Sequence, residues 1–163
     1  MKKFELTAES KINIFGKKLF RIKALISFGD VEEGETGGWI EKEENLEQSS
    51  GDAWVYGDAE VYGDAEVYGN ARVYGNARVS GNAEVSGNAD YTTIHGFGTQ
   101  FRTTTFFQCE DKQIRVSCGC FLGTIPEFRE QVKNTREGKI AEEYLMIADL
   151  MEKHFVKEKE SGE

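Results

Sequence analysis

Between Gly51 and Asp90 the chain repeats one six-residue phrase, Gly-(Asp/Asn)-Ala-x-Val-(Tyr/Ser), without insertion or slip. The Gly-(Asp/Asn)-Ala triplets begin at Gly51, Gly57, Gly63, Gly69, Gly75, Gly81 and Gly87. A short fixed period constrains a fold more than any local propensity, because each unit must bury its apolar face against its neighbours. In Ala59-Glu60-Val61-Tyr62 polarity alternates with period two, as in a half-buried strand, with Ala and Val inward and Glu and Tyr outward. Gly63-Asp64 follows, a pair that tolerates positive φ and bonds its own backbone, so each phrase ends in a corner. A chain that turns this often cannot close hairpins. Coiling instead lets each side pair in parallel with the side above, at about 4.8 Å. The expected architecture is a short parallel β-helix.

The phrase resembles that of the hexapeptide-repeat left-handed β-helix family, with an aliphatic residue and, four positions on, a small one. Val55 to Ala59, Val61 to Ala65, Val67 to Ala71, Val73 to Ala77, Val79 to Ala83 and Val85 to Ala89 all carry that spacing. The resemblance implies three sides per coil and a left hand. Two coils are expected from Gly51 to Ser86, with a worn third from Gly87 to about Thr105, where Tyr91 and Phe97 replace Val and His95 replaces Ala. The fold class expected is mainly β: an N-terminal β cap over 1–50, the β-helix over 51–105, and a β-hairpin with two α-helices over 106–163.

In the first cap, Lys3 to Ile26 reads as a hairpin turning at Gly16-Lys17, with Phe20, Ile22, Ala24 and Ile26 on one face. Trp39-Ile40 and Leu46 are placed to plug the first coil, which would otherwise expose an apolar end. Glu41 to Ser50 is a loop or an irregular first coil. Beyond the repeat, Thr103 to Gln108 and Gln113 to Ser117 read as a hairpin sealing the other end. Thr124-Ile125-Pro126-Glu127 announces a helix by its N-cap, early Pro and capping-box Glu, with Phe128 and Val132 inward and Gly138 as its stop. A second helix starts near Lys139 and carries Ile140, Tyr144, Ile147, Met151 and Phe155 on one stripe, suited to ordinary core or to a dimerising coil. Lys157 to Glu163 is expected to fray.

The net charge of -9 argues against nonspecific nucleic-acid binding, which needs a basic footprint. Charge is uneven: Lys2, Lys3, Lys11, Lys17, Lys18, Arg21 and Lys23 precede an acidic stretch from Asp30 to Glu47. No run approaches a membrane span, Met1-Lys-Lys-Phe-Glu is not an apolar leader, and Cys109, Cys118 and Cys120 are odd in number. A soluble cytoplasmic protein with reduced thiols is expected.

Acyltransferases of the resembled family use a coil-borne His as general base, but the repeat has none, which leaves His95 as the sole catalytic candidate. Its carbonic anhydrases need three His for zinc, and this chain has only His95 and His154. Cys109, Cys118, Cys120 and His95 make a zinc-like count with the wrong spacing, so thiols buried in the fold are preferred and no cofactor is expected. Outward residues eighteen apart should stack: Trp54 on Arg72, Tyr56 on Tyr74, Glu60 on Arg78, and Glu66 unfavourably on Glu84. Tyr62 and Tyr68 extend this row, and Tyr and Arg are enriched in binding hot spots.

The Gly37-Gly38-Trp39-Ile40 phrase ahead of a Val-Tyr-Gly-Asn/Asp repeat resembles small proteins carried by bacteriophages and prophages. The expected function is therefore a noncatalytic, dimeric or trimeric binding protein. It would counter a host defence by sequestering a nucleotide-like anion or by binding an immune protein at an intersubunit surface. Trp54, Tyr56, Tyr62, Tyr68, Arg72, Tyr74, Arg78 and Arg102 are the candidate contacts. A His95-dependent acyltransferase and a structural phage component are the alternatives.

Overall fold

The computed structural model describes residues 2–156, so the tail expected to fray lies outside the described residues. The fold is mainly β with two C-terminal helices. Strands β1 (Phe4–Ile12) and β2 (Lys18–Ala24) form the expected antiparallel hairpin. A register shift between Leu6 and Ser10 breaks strict alternation. Ile22 and Ala24 face the core, while Leu19, on the opposite face, is buried in a separate cluster with Trp39 and Tyr62.

Strand β3 (Thr36–Ile40) pairs antiparallel with β2 and parallel with the repeat, placing Ile40 beside Val61. Leu46 then makes a parallel bridge to Val67. The Glu41–Ser50 stretch is thus drawn into the stack and not left as a connector. Trp39 does not plug the apolar end: it lies outside, where Lys11 and Arg21 pack over its ring at 4.5 and 4.3 Å.

The repeat supplies six two-residue strands: β4 (Trp54–Val55), β5 (Glu60–Val61), β6 (Glu66–Val67), β7 (Arg72–Val73), β8 (Arg78–Val79) and β9 (Glu84–Val85). They pair in parallel at a constant eighteen-residue offset, Val55 with Val73, Val61 with Val79 and Val67 with Val85. These Val and the Ala of each phrase are buried in one core. The corner glycines from Gly51 to Gly81 hold φ between 57° and 73°, the region that disfavours a side chain.

The regularity ends at Gly87, whose φ is -161°. The stretch from Gly87 to Thr105, expected as a worn coil, does not continue the eighteen-residue pairing. Tyr91 instead opens β10 (Tyr91–Phe97), which pairs antiparallel with β11 (Arg102–Gln108), followed by β12 (Ile114–Cys118) and β13 (Phe121–Thr124) in a four-stranded sheet. The predicted hairpin is β11–β12. Tyr91, Phe107 and Cys109 join the Ala/Val core and close its second end, with Cys109 bridging Ala83.

Helix α1 (Ile125–Thr135) begins with the predicted capping box, Thr124 accepting from the Glu127 N–H. It stops at Thr135, before Gly138, which is instead the first residue of α2 (Gly138–His154) with φ 64°. Tyr144, Ile147 and Met151 pack with Phe106, Phe128 and Val132 in a second core, and Ile140 and Phe155 are partly buried against it. That stripe is core and is not available to pair with another helix. Among the described residues no helix is long and apolar enough to cross a membrane.

Candidate functional site

The outward row of the repeat does not form one continuous surface, because the N-terminal sheet folds over part of it. Trp54 is fully buried, edge-on to Phe4 and Phe28 at 6.3 and 5.3 Å, and so presents nothing to a ligand. Its ladder neighbour Arg72 turns away to Asp30 at 3.4 Å, so the expected cation–π contact is replaced by an ion pair. Tyr56 donates to the same Asp30 carboxylate at 3.1 Å; burial, then that carboxylate, pushes its phenol up to about 12. Tyr62 is buried beneath Phe15, with ring centroids 6.1 Å apart.

Glu60 and Arg78 do face one another, at 3.8 Å, but Glu60 is buried and Lys11 reaches it more closely, at 3.0 Å. Glu66 and Glu84 are paired in register as expected. Tyr68 lines a cleft of about 540 Å³ with Glu43, Glu44, Glu47 and Glu66, a setting that repels an anion. Tyr74 is exposed, yet it meets Tyr91 edge-on at 6.4 Å and not Tyr56. Of the eight candidate contacts, Trp54 and Tyr62 are therefore corrected to core, and Tyr56, Arg72 and Arg78 are engaged within the chain.

Arg102 has a different setting. It opens β11 just after Phe101, whose φ of 52° turns the chain, and its guanidinium lies against Gly119, where a β-carbon would collide with it. With Arg136 and the buried Tyr144 it lines a cleft of about 430 Å³ floored by Phe121, Phe128 and Val132. Arg136 is the C-cap of α1, its N–H donating to the Val132 carbonyl. Tyr144 reaches in from α2 so closely to Gly98 that a β-carbon there would strike its hydroxyl. Burial, then Cys118, pushes the Tyr144 phenol up, while Arg136 and Arg102 pull it back. Among the described residues neither Arg102 nor Arg136 forms an ion pair, in a chain with 29 acids and 20 Lys and Arg.

Arg136 was not singled out from the sequence, and Tyr144 was expected only as part of the α2 stripe. Arg136 sits in the short joint between two helices, and only the fold brings that joint beside the start of β11.

His95 is exposed on β10, and its Nδ1 lies 3.1 Å from the Thr103 hydroxyl. No carboxylate orients it among the described residues. The cysteines are dispersed: Cys109 in the first core with its thiol pushed up by burial, Cys118 in the second accepting from Thr104 at 3.3 Å, and Cys120 exposed. The expectation of buried thiols therefore fails for Cys120. Among the described residues no three His, Cys, Asp or Glu side chains are grouped so as to hold a metal ion. Compared with known proteins, the chain matches no family model and no curated protein.

Proposed function

We propose that this protein is a noncatalytic binding module that captures a small phosphate-bearing, nucleotide-like ligand in the Arg102–Arg136 cleft. The observation that carries the reading is the convergence of two guanidinium groups, free of carboxylates among the described residues, on a cleft that also holds the Tyr144 hydroxyl. Planar guanidinium groups bind phosphate oxygens bidentately, and the aromatic floor of Phe121 and Phe128 suits an apolar or ring portion.

In this reading the repeat is a short left-handed parallel β-helix of two coils. The eighteen-residue ladders support it, and its hand rests on the resemblance to hexapeptide-repeat proteins. The repeat is the rigid stem from which β10–β13 and the helices project. We further propose that the protein is a homo-oligomer of the host cytoplasm that withdraws a defence signal, the setting implied by its likeness to phage-carried proteins. The exposed Met146 and Leu150, one turn apart on α2, favour self-association.

Titration calorimetry with ADP and with inorganic phosphate tests the site. Wild type binds ADP, and Arg102→Ala with Arg136→Ala weakens it at least a hundredfold, since charge-assisted hydrogen bonds contribute about 1.5–3 kcal/mol each. Equal binding by the double variant, or no binding of either ligand to wild type, refutes the assignment. Native mass spectrometry of the same samples tests the oligomer, and a monomer at micromolar concentration refutes that part alone.

A further inference from the structure

The repeat changes its outward residue partway along: Tyr occupies that position at Tyr56, Tyr62, Tyr68 and Tyr74, and Ser at Ser80 and Ser86. Because the chain returns at an eighteen-residue offset, the change falls within the second pass, after Tyr74. Tyr62 follows directly on the Val61–Val79 pair and its N–H donates to the Val79 carbonyl, so Tyr62 has Ser80 as its ladder neighbour where Tyr56 has Tyr74. A tyrosine ring is missing beside Tyr62.

The space left is a cleft of about 330 Å³ at the meeting of three parts of the chain: Phe15 from the β1–β2 turn, Tyr62 and Ser80 from the repeat, and Leu122 from β13. Phe15 and Tyr62, tilted by 33° with centroids 6.1 Å apart, are too close to admit a ring between them and form one aromatic wall. Leu122, 44% exposed, stands in the same cleft without a core to join. Ser80 is 2% exposed, and its Oγ, a neighbour of the Tyr62 hydroxyl, has no hydrogen-bond partner among the described residues. A buried hydroxyl left unpaired is a net cost to the fold, which a ligand group can relieve. Mostly apolar walls with one convergent polar group are the ordinary composition of a small-molecule site.

We infer that this cleft is a second binding site, adjoining the arginine cleft at Leu122, for a small planar aromatic ring that carries one hydrogen-bonding group. The ring lies on the Phe15–Tyr62 wall against Leu122, and its polar group reaches Ser80 Oγ. Lys17 and Asp64 both line the cleft, one charge of each sign, which suits a neutral ring.

Indole and toluene are the probes, followed by amide chemical shifts in the full-length protein. Indole is expected to shift Gly63, Gly81 and Asn82, which line this cleft and not the arginine cleft. Ser80→Tyr, which restores the repeat's own residue, should abolish those shifts while the melting temperature stays at or above that of wild type. Ser80→Ala should weaken indole at least threefold and leave toluene unchanged, and Leu122→Ser, on an exposed side chain, should weaken both. Arg102→Ala with Arg136→Ala should bind indole as wild type does, so failure of the arginine site leaves this one standing. No indole shifts at millimolar concentration, or shifts that survive Ser80→Tyr, would overturn the inference.

Discussion

Phe106 and Phe107 are adjacent in β11 and belong to different cores: Phe107 closes the Ala/Val interior of the repeat, and Phe106 packs edge-on to Phe128 at 6.2 Å under the helices. Strand alternation makes this division, since successive side chains leave opposite faces. Each ring is fully buried, so truncation to Ala should cost about 3–5 kcal/mol in either case. The two losses should differ in place. Hydrogen exchange is expected to quicken across Ala53–Val85 in Phe107→Ala and across α1 and α2 in Phe106→Ala. Identical exchange patterns would show that the two cores melt as one unit.

Tyr91 gives the second end of the repeat a pH dependence. Its hydroxyl donates to the Arg72 carbonyl, and burial pushes its phenol from 10.0 up to about 12. A phenol with a raised folded-state pKa adds stability that is fully present below pH 10, where both states are protonated. That stability drains away as pH rises toward 12, because the unfolded chain ionises first. For Tyr91 alone the loss should approach roughly 2 kcal/mol. In denaturant titrations between pH 8 and 12, Tyr91→Phe should start about 1 kcal/mol lower for want of the hydrogen bond and then decline less steeply. Parallel declines in the two proteins would remove Tyr91 as the cause.

The inward half of the repeat was legible in the sequence because each phrase sets its Ala and Val at alternate positions, and these are buried in one core. The outward half was not. Whether Trp54, Glu60 or Tyr62 meets solvent depends on a hairpin some forty residues upstream folding back over them, and no local pattern encodes that. Thr124 and Glu127 were readable because a capping box is completed within four residues. Gly138 was misread because α1 already ends at Thr135, so this glycine, at φ 64°, opens α2, although glycine is the usual residue just past a helix end. The arginine cleft escaped notice since Arg102 and Arg136 converge only once the helices pack on β10–β13.

Asn45 holds the irregular first pass onto the regular ones. Fully buried, it donates to the Gly63 and Ala65 carbonyls at 3.2 and 2.9 Å and accepts from the Glu41 and Lys42 N–H groups at 3.1 and 2.9 Å. Its side chain stands in for ladder bonds that this stretch lacks. Asn45→Ala leaves buried backbone groups unpaired and should cost about 2–4 kcal/mol, and Asn45→Asp more, because it keeps the two acceptor contacts but sets a buried carboxylate oxygen against the Gly63 and Ala65 carbonyls. Thermal melts of both variants check the order, and a cost for Ala no larger than that for a typical surface substitution would mean that water replaces the side chain.

Glu60 ties the N-terminal hairpin to the repeat through three partners: Lys11 at 3.0 Å, Arg78 at 3.8 Å and the Asn13 amide at 3.3 Å. The carboxylate is 8% exposed while Lys11 and Arg78 keep about a third of their side chains in solvent, so the two cations can be rehydrated once it is gone. Glu60→Gln should therefore cost about 1–2 kcal/mol, below the 3–5 typical of an ion pair buried on both sides. A double-mutant cycle with Lys11→Met isolates the pair, with an expected coupling of about 1 kcal/mol that shrinks only modestly in 1 M salt, because the carboxylate is shielded. A coupling near zero, or one erased by salt, would mean that the hairpin is held by the Leu19–Trp39–Tyr62 cluster and that the charges are incidental to it.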